Sequence, residues 1–214
     1  MLDRAPLSRL VLRTPRLELR LPSDEELRAL ALVAQEGVHD PQRMPFLVPW
    51  TDPSPTFVRD FLAYHRTVQE QWQPEDWRLE LGVFLTGQPI GIQVINAKDF
   101  AKSRTTGSAS WLGIGWHGYG YGTEMRTAIL EFAFSGLDAH TAVSGAFVDN
   151  PASARVSAKL GYMKDGVRWP RVRGLAVHED RFRLDRGQFE AIDHVTVTVE
   201  GLDDCLSLFG LTSV

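Results

Sequence analysis

The chain has 214 residues, enough for one domain with a substantial core, and its 43% apolar and 23% charged residues are those of an ordinary soluble globular protein. A net charge of −4 argues against nucleic acid as a main partner, and no apolar run approaches the roughly 18 residues that read as a membrane span. The opening MLDRAPLSRL lacks the apolar stretch of a signal peptide, and the single Cys205 excludes an internal disulfide, suits a reducing cytoplasmic compartment and reads as buried apolar filler.

Residues 16–21, RLELRL, alternate apolar and charged side chains and predict a half-exposed strand. Ser23 followed three residues later by Glu26 is a capping box, and the helix behind it stops near Gly37. The stretch 37–55 carries five prolines. It reads either as a linker over the core or, because Met44, Phe46, Val48 and Trp50 are more apolar than a linker needs, as a packed loop lining a pocket. His39 and Asp40 in that loop read as a turn or cap. No cluster of His, Cys and carboxylates has ligand spacing, so no metal is expected. Ser54 and Pro55 predict an N-cap and first helical residue. The stripe Val58, Phe61, Leu62, His65 and Trp72 follows, ended by Pro74, with His65 as a hydrogen-bonded core histidine. Trp77 to Leu85 alternates and turns at Thr86-Gly87-Gln88 into Pro89 to Ile95, an antiparallel hairpin.

The next stretch carries the chemistry. Ser108 to Ile114 has strand character, Gly118, Gly120 and Gly122 bare the backbone of a turn, and Met125, Ile129 and Phe132 recur at helical spacing. Orphan amides and the helix dipole make such a turn an anion site, pointing to a phosphate-bearing cofactor. Gly113, Gly115 and Gly118 also spell the dinucleotide fingerprint, with Asp138 about 20 residues on. Against it, the helix does not open until about Gly120, Asp138 lies past the helix end, and more than 100 residues of other structure come first.

That helix ends near Gly136, and a strand covers 141–148. Asn150 and Pro151 then cap a helix that Gly161 stops. Tyr162 to Val167 and Glu179 to Leu184 read as paired strands with Phe182 and Leu184 facing in. Between them Arg168, Arg171 and Arg173 form a basic loop. In 187–214, Val195, Val197 and Val199 alternate along a strand and 203–209 forms a short helix. That strand either pairs with another chain or closes its own sheet.

The register His117-Gly118-Tyr119-Gly120-Tyr121-Gly122 resembles the Q/R-x-x-G-x-G/A pyrophosphate loop of the GNAT N-acyltransferases, with His117 in place of Gln or Arg. GTEM and VDNPASARVSAKLGY are similar to its RimJ/RimL-like branch. HDPQRMPF, VPW and FVDNPAS look like the members of that branch that use succinyl-CoA. The resemblance implies a mixed α/β fold: a largely antiparallel twisted sheet, splayed at the cofactor site and flanked by helices. It implies a transferase domain over 1–186 and a strand–helix extension over 187–214, a candidate homo-oligomer contact. It implies transfer from acetyl-CoA or succinyl-CoA to a small-molecule or peptide amine by direct attack. The donor would lie along Trp111, Leu112, Gly113 and Ile114, with its pyrophosphate on His117 to Thr123. A backbone N–H near Leu112 to Ile114 would polarise the thioester carbonyl. Asn150 would contact the pantetheine arm and Ser153, or alternatively Tyr162, would protonate the leaving thiolate; a capping role for Asn150 and Ser153 is the plainer alternative. The first two helices, Phe46 and Trp50 would wall the acceptor site. Glu80 or Asp99 is the candidate base, and Arg43 or the basic loop the candidate receiver of an acyl carboxylate. The other classes left open are a non-catalytic acyl-CoA-binding protein and the dinucleotide-dependent oxidoreductase.

Overall fold

The computed structural model describes residues 2–211; Met1 and residues 212–214, the tail of the expected extension, lie outside them. Strand β1 (Val11–Arg13), which the alternation did not mark, forms a hairpin with β2 (Leu17–Arg20). The Ser23–Glu26 capping box is formed in both directions and starts α1 (Asp24–Glu36), with Gly37 as its C-cap. Helix α2 (Phe57–Glu70) begins later than Ser54-Pro55 predicts. The Ser54 hydroxyl accepts from the Thr56 N–H at 3.2 Å and makes a local turn instead of a helix cap.

The hairpin of β3 (Asp76–Leu85) and β4 (Gln88–Lys98) leads through the short α3 (Phe100–Ser103) to β5 (Thr105–Leu112). Then come α4 (Tyr121–Glu131), a π-helical turn over Phe132–Gly136, β6 (Thr141–Phe147) and α5 (Pro151–Lys159). Strand β7 (Met163–Arg168), a small hairpin of β8 (Arg171–Val172) and β9 (Leu175–Ala176), β10 (Glu179–Asp185), α6 (Arg186–Glu190) and β11 (Thr198–Glu200) complete the order. Nine strands join in the order β11-β1-β2-β3-β4-β5-β6-β10-β7. All neighbours are antiparallel except β5 and β6, whose connection runs through α4. This is the mixed, mostly antiparallel α/β sheet expected.

Helices α1 and α2 bury Leu27, Leu30, Phe57 and Phe61 against Ile92 and Val94 on one face. Helix α4 and the π-helical turn that continues it bury Met125, Ile129 and Phe132 against Leu79 and Leu81 on the other. Residues 187–211 do not stand apart from this core. Val199 sits opposite Leu12, so β11 closes on its own sheet. The 3-10 turn over Asp203–Phe209 buries Cys205, Leu208 and Phe209, with the Phe209 ring 4.9 Å from Trp77 and 5.5 Å from Trp72. Burying such a ring contributes roughly 1.5–3 kcal/mol.

Candidate functional site

The glycine turn has the backbone its sequence predicts. Gly118 and Gly120 have φ of +84° and +86°, left-handed values that side chains disfavour. The N–H groups of Thr123 and Glu124 both return to the Gly120 carbonyl. Those of Gly118, Tyr119, Gly120, Tyr121 and Gly122 find no acceptor among the described residues. Five bare donors at the N-terminus of α4 form a nest for an anion. The exposed His117 holds the turn in place, its Nε2 donating to the Leu112 carbonyl at 3.0 Å.

Arg16, which sequence reasoning passed over, locks the same turn. Its guanidinium donates to the Tyr119 carbonyl at 3.1 Å and to Glu124 Oε2 at 2.6 Å, and lies 4.6 Å from the Tyr121 ring centre. Glu124, buried in the first turn of α4, also accepts from the Thr14 hydroxyl and the Arg16 N–H. A buried acid at a helix start was the one local hint of a cation fixed far away in sequence. The overlapping dinucleotide register does not open a helix, and its first glycine serves packing. α4 opens at Tyr121, well past Gly115. A Cβ on Gly113 would stand 2.6 Å from Val33 Cγ1, so this glycine lets α1 approach. Asp138 pairs with Arg186.

A gap opens beside the turn. β5 and β6 pair only from Thr105 to Gly107 against Thr141 to Val143; beyond that the two strands part. Gly113 N–H donates to Ile90 and Ile114 N–H to Gly37. Of the three residues expected to offer a donor, these two are therefore engaged. Alternate N–H groups in an antiparallel ladder point opposite ways, so Leu112, together with Ser110, faces the gap. At the far lip Asn150 Oδ1 accepts from the Ser153 N–H at 3.2 Å, which makes Asn150 the cap of α5. Behind the gap the Tyr162 hydroxyl is fully buried, and burial pushes it above its ordinary value of 10 against the pull of Arg126.

On the α1–α2 face the proline-rich loop is packed. Phe46 lies 5.1 Å from Trp50, and Trp50 lies 5.5 Å from Trp111 of β5, with Phe61 of α2 closing the group. His39 bonds to the Thr51 hydroxyl at 2.7 Å, a loop brace and not a catalytic pair. Glu80 does not line an open cleft. It is 7% exposed, with Oε2 2.5 Å from His65 Nδ1, while Arg78 and the Tyr64 hydroxyl donate to Oε1. Burial pushes its carboxyl up, but the bonds and charges of His65 and Arg78 outweigh that and hold it below the ordinary carboxylate value. A carboxylate so held is a weak proton acceptor. Asp99 follows the end of β4, whose Asn96 already sits opposite Gly107 in the closed part of β5, so it is remote from the gap. Arg168 pairs with Glu179, and Arg173 with Asp52 of the proline-rich loop. Arg171 donates to the Gly174 carbonyl at 2.7 Å, and Arg43 stands 3.9 Å from Asp40.

Five free amides beside a cleft edged with unpaired strand donors suit a diphosphate carrying an amide-bearing tail, which is the chemistry of coenzyme A. Among the described residues no three His, Cys or carboxylate groups gather to hold a metal. A family model described as an acetyltransferase (GNAT) domain matches residues 16–163. Among solved structures, Mycobacterium smegmatis RimJ in complex with CoA-disulfide is 16% identical, covering 94% of this chain and 95% of that one at a TM-score of 0.67. RimL in complex with coenzyme A is 16% identical over 82% of this chain and 97% of that one, TM-score 0.66. The self-immunity acetyltransferase MccE in complex with acetyl-CoA and AMP is 19% identical over 80% and 93%, TM-score 0.64. At these identities the likeness is one of fold.

Proposed function

The chain belongs to the GNAT acetyltransferase family, and on that premise we propose that it is an N-acyltransferase moving an acetyl or succinyl group from coenzyme A to a primary amine. The observation that carries this is the nest of five free N–H groups opening onto the gap between β5 and β6. The ligands in the RimJ, RimL and MccE structures support the same donor.

Coenzyme A supplies the activated thioester. The free amides of Gly118 to Gly122 bind its pyrophosphate, in a turn buttressed by Arg16; those of His117 and Thr123, expected to join them, are bonded to Ile114 and Gly120. The N–H groups of Ser110 and Leu112 orient the arm and the carbonyl, and the Asn150 amide holds the far lip. Ser153, at the first turn of α5, returns a proton to the leaving sulfur. Phe46, Trp50, Phe61 and Trp111 exclude water and wall the acceptor. The acceptor amine must be neutral to attack. Glu80 fixes His65 and does not take that proton itself. The proposed setting is cytoplasmic and the acceptor a small-molecule or peptide amine; no helix among the described residues is long and apolar enough to cross a membrane. Self-association through the extension from residue 187 onward, whose β11 lies at an edge of the sheet, is part of the proposal and is read by light scattering. The pairing of Glu80 with His65 and Arg78 favours a second reading, a binding protein that holds acyl-CoA without turnover.

The test is calorimetric titration with acetyl-CoA, succinyl-CoA, free CoA and NADH, followed by turnover on an amine panel. Gly120→Glu places a carboxylate in the nest at a left-handed φ and is expected to abolish CoA-ester binding. NADH binding without CoA affinity would sink the proposal, and tight binding without turnover on any amine would favour the second reading.

A further inference from the structure

The floor of the gap holds a buried cation that no carboxylate among the described residues neutralises. Arg126 of α4 is 4% exposed. Its guanidinium reaches the hydroxyls of Ser144 on β6 and Ser110 on β5, at 3.1 and 3.4 Å, so it spans the two lips just beyond the point where they separate. No carboxylate among the described residues lies within ion-pair distance of it, and Nε has no partner. Around it Gln93 Oε1, Ser108 Oγ and the Tyr162 hydroxyl are also buried and unpartnered. One unpaired buried charge costs several kcal/mol in general, and each orphan polar atom about 1–3. The fold keeps four such atoms together, beside half-buried serines that open onto the gap.

We infer that Arg126 selects the acyl group: with the hydroxyls of Ser110, Ser144 and Tyr162 it receives a carboxylate at the far end of that group. The donor is then the coenzyme A monothioester of a dicarboxylic acid. The inference rests on the acyl-transfer reading above. The pyrophosphate is met at the other end of β5, by the glycine turn. An acyl group at the closed end of the gap lies over the guanidinium, whose planar fork of five donors fits a carboxylate in two parallel bonds. A methyl group there would leave the charge bare. Two of the arginines that the sequence offered for this task are committed elsewhere, Arg168 to Glu179 and Arg173 to Asp52.

The alternative is a staple that joins the two lips, and ligand binding separates the two. Calorimetry on the wild type, Arg126→Met and Arg126→Lys uses succinyl-CoA, butyryl-CoA (the same chain without the charge) and free CoA. Wild type is expected to bind succinyl-CoA at least ~10-fold tighter than butyryl-CoA, and Arg126→Met to lose roughly 10- to 100-fold for succinyl-CoA alone. Arg126→Lys is expected to fall between. A wild type indifferent to the terminal carboxylate overturns the inference without need of any variant. So does an Arg126→Met protein that weakens every ligand equally. Failure to bind even free CoA overturns the acyl-transfer reading, and this inference with it.

Discussion

Two buried charges, one on each face of the sheet, are met in opposite ways. Under α1 and α2, Glu80 is met by His65, Arg78 and Tyr64. Under α4, Arg126 meets hydroxyls and, among the described residues, no carboxylate. Both are almost wholly buried, 7% and 4% exposed. Burial alone therefore does not separate a group that holds the fold from one that awaits something; the completeness of its partners does.

Mutation should break this symmetry of burial. Glu80→Ala leaves His65 and Arg78 facing an empty site and is expected to cost about 3–5 kcal/mol, read by denaturant unfolding. Arg16→Ala comes next, at about 1.5–3 kcal/mol, since it strips a charged donor from the buried Glu124; the same variant should weaken coenzyme A binding. Arg126→Met removes a charge that no acid compensates, so its expected cost is below about 1 kcal/mol. A loss as large as that of Glu80→Ala would make Arg126 a structural staple and end the contrast. An equally small effect belongs to the more accessible pair of Arg20 and Glu26, where Glu26→Gln should cost about 1 kcal/mol or less.

Acid sharpens the same comparison. Arg20 holds Glu26 down to about 2, against an ordinary value of 4.5, and Glu80 is also held low. Both bind protons more weakly folded than unfolded. Glu26's contribution is complete above the ordinary carboxylate value and drains away as pH falls towards about 2, and that of Glu80 is lost in the same direction. Melting curves between neutral pH and that limit should show a steep decline, shallower in Glu80→Gln and unchanged in slope in Arg126→Met.

What the sequence disclosed was whatever a few neighbouring residues decide. The capping box at Ser23, the glycine turn, the Asn150-Pro151 start and the Gly161 stop are local chemistry, and each appears where its residues placed it. Hidden features were those made by distant partners. Arg16 and Glu124 meet across 108 residues of chain, and nothing beside Arg16 in a short alternating strand marks it as a brace. Arg126 stands among apolar residues on α4, where an arginine reads as solvated until the sheet is in place above it. Glu80 misled for the same reason: its strand alternates, but α2 covers the face that would otherwise be wet. The start of α2 slipped because Ser54 bonds within its own turn.

The pairing of β11 with β1 and the seat of Phe209 between Trp72 and Trp77 have a consequence for synthesis. A ribosome adding about 5–20 residues per second exposes β1 and the two tryptophans long before residues 198–209 exist to cover them. Such widely separated contacts are expected to make folding slow and late. The emerging chain would carry an open sheet edge and an uncovered aromatic floor until nearly all of it is made, the period in which a chaperone has most to do.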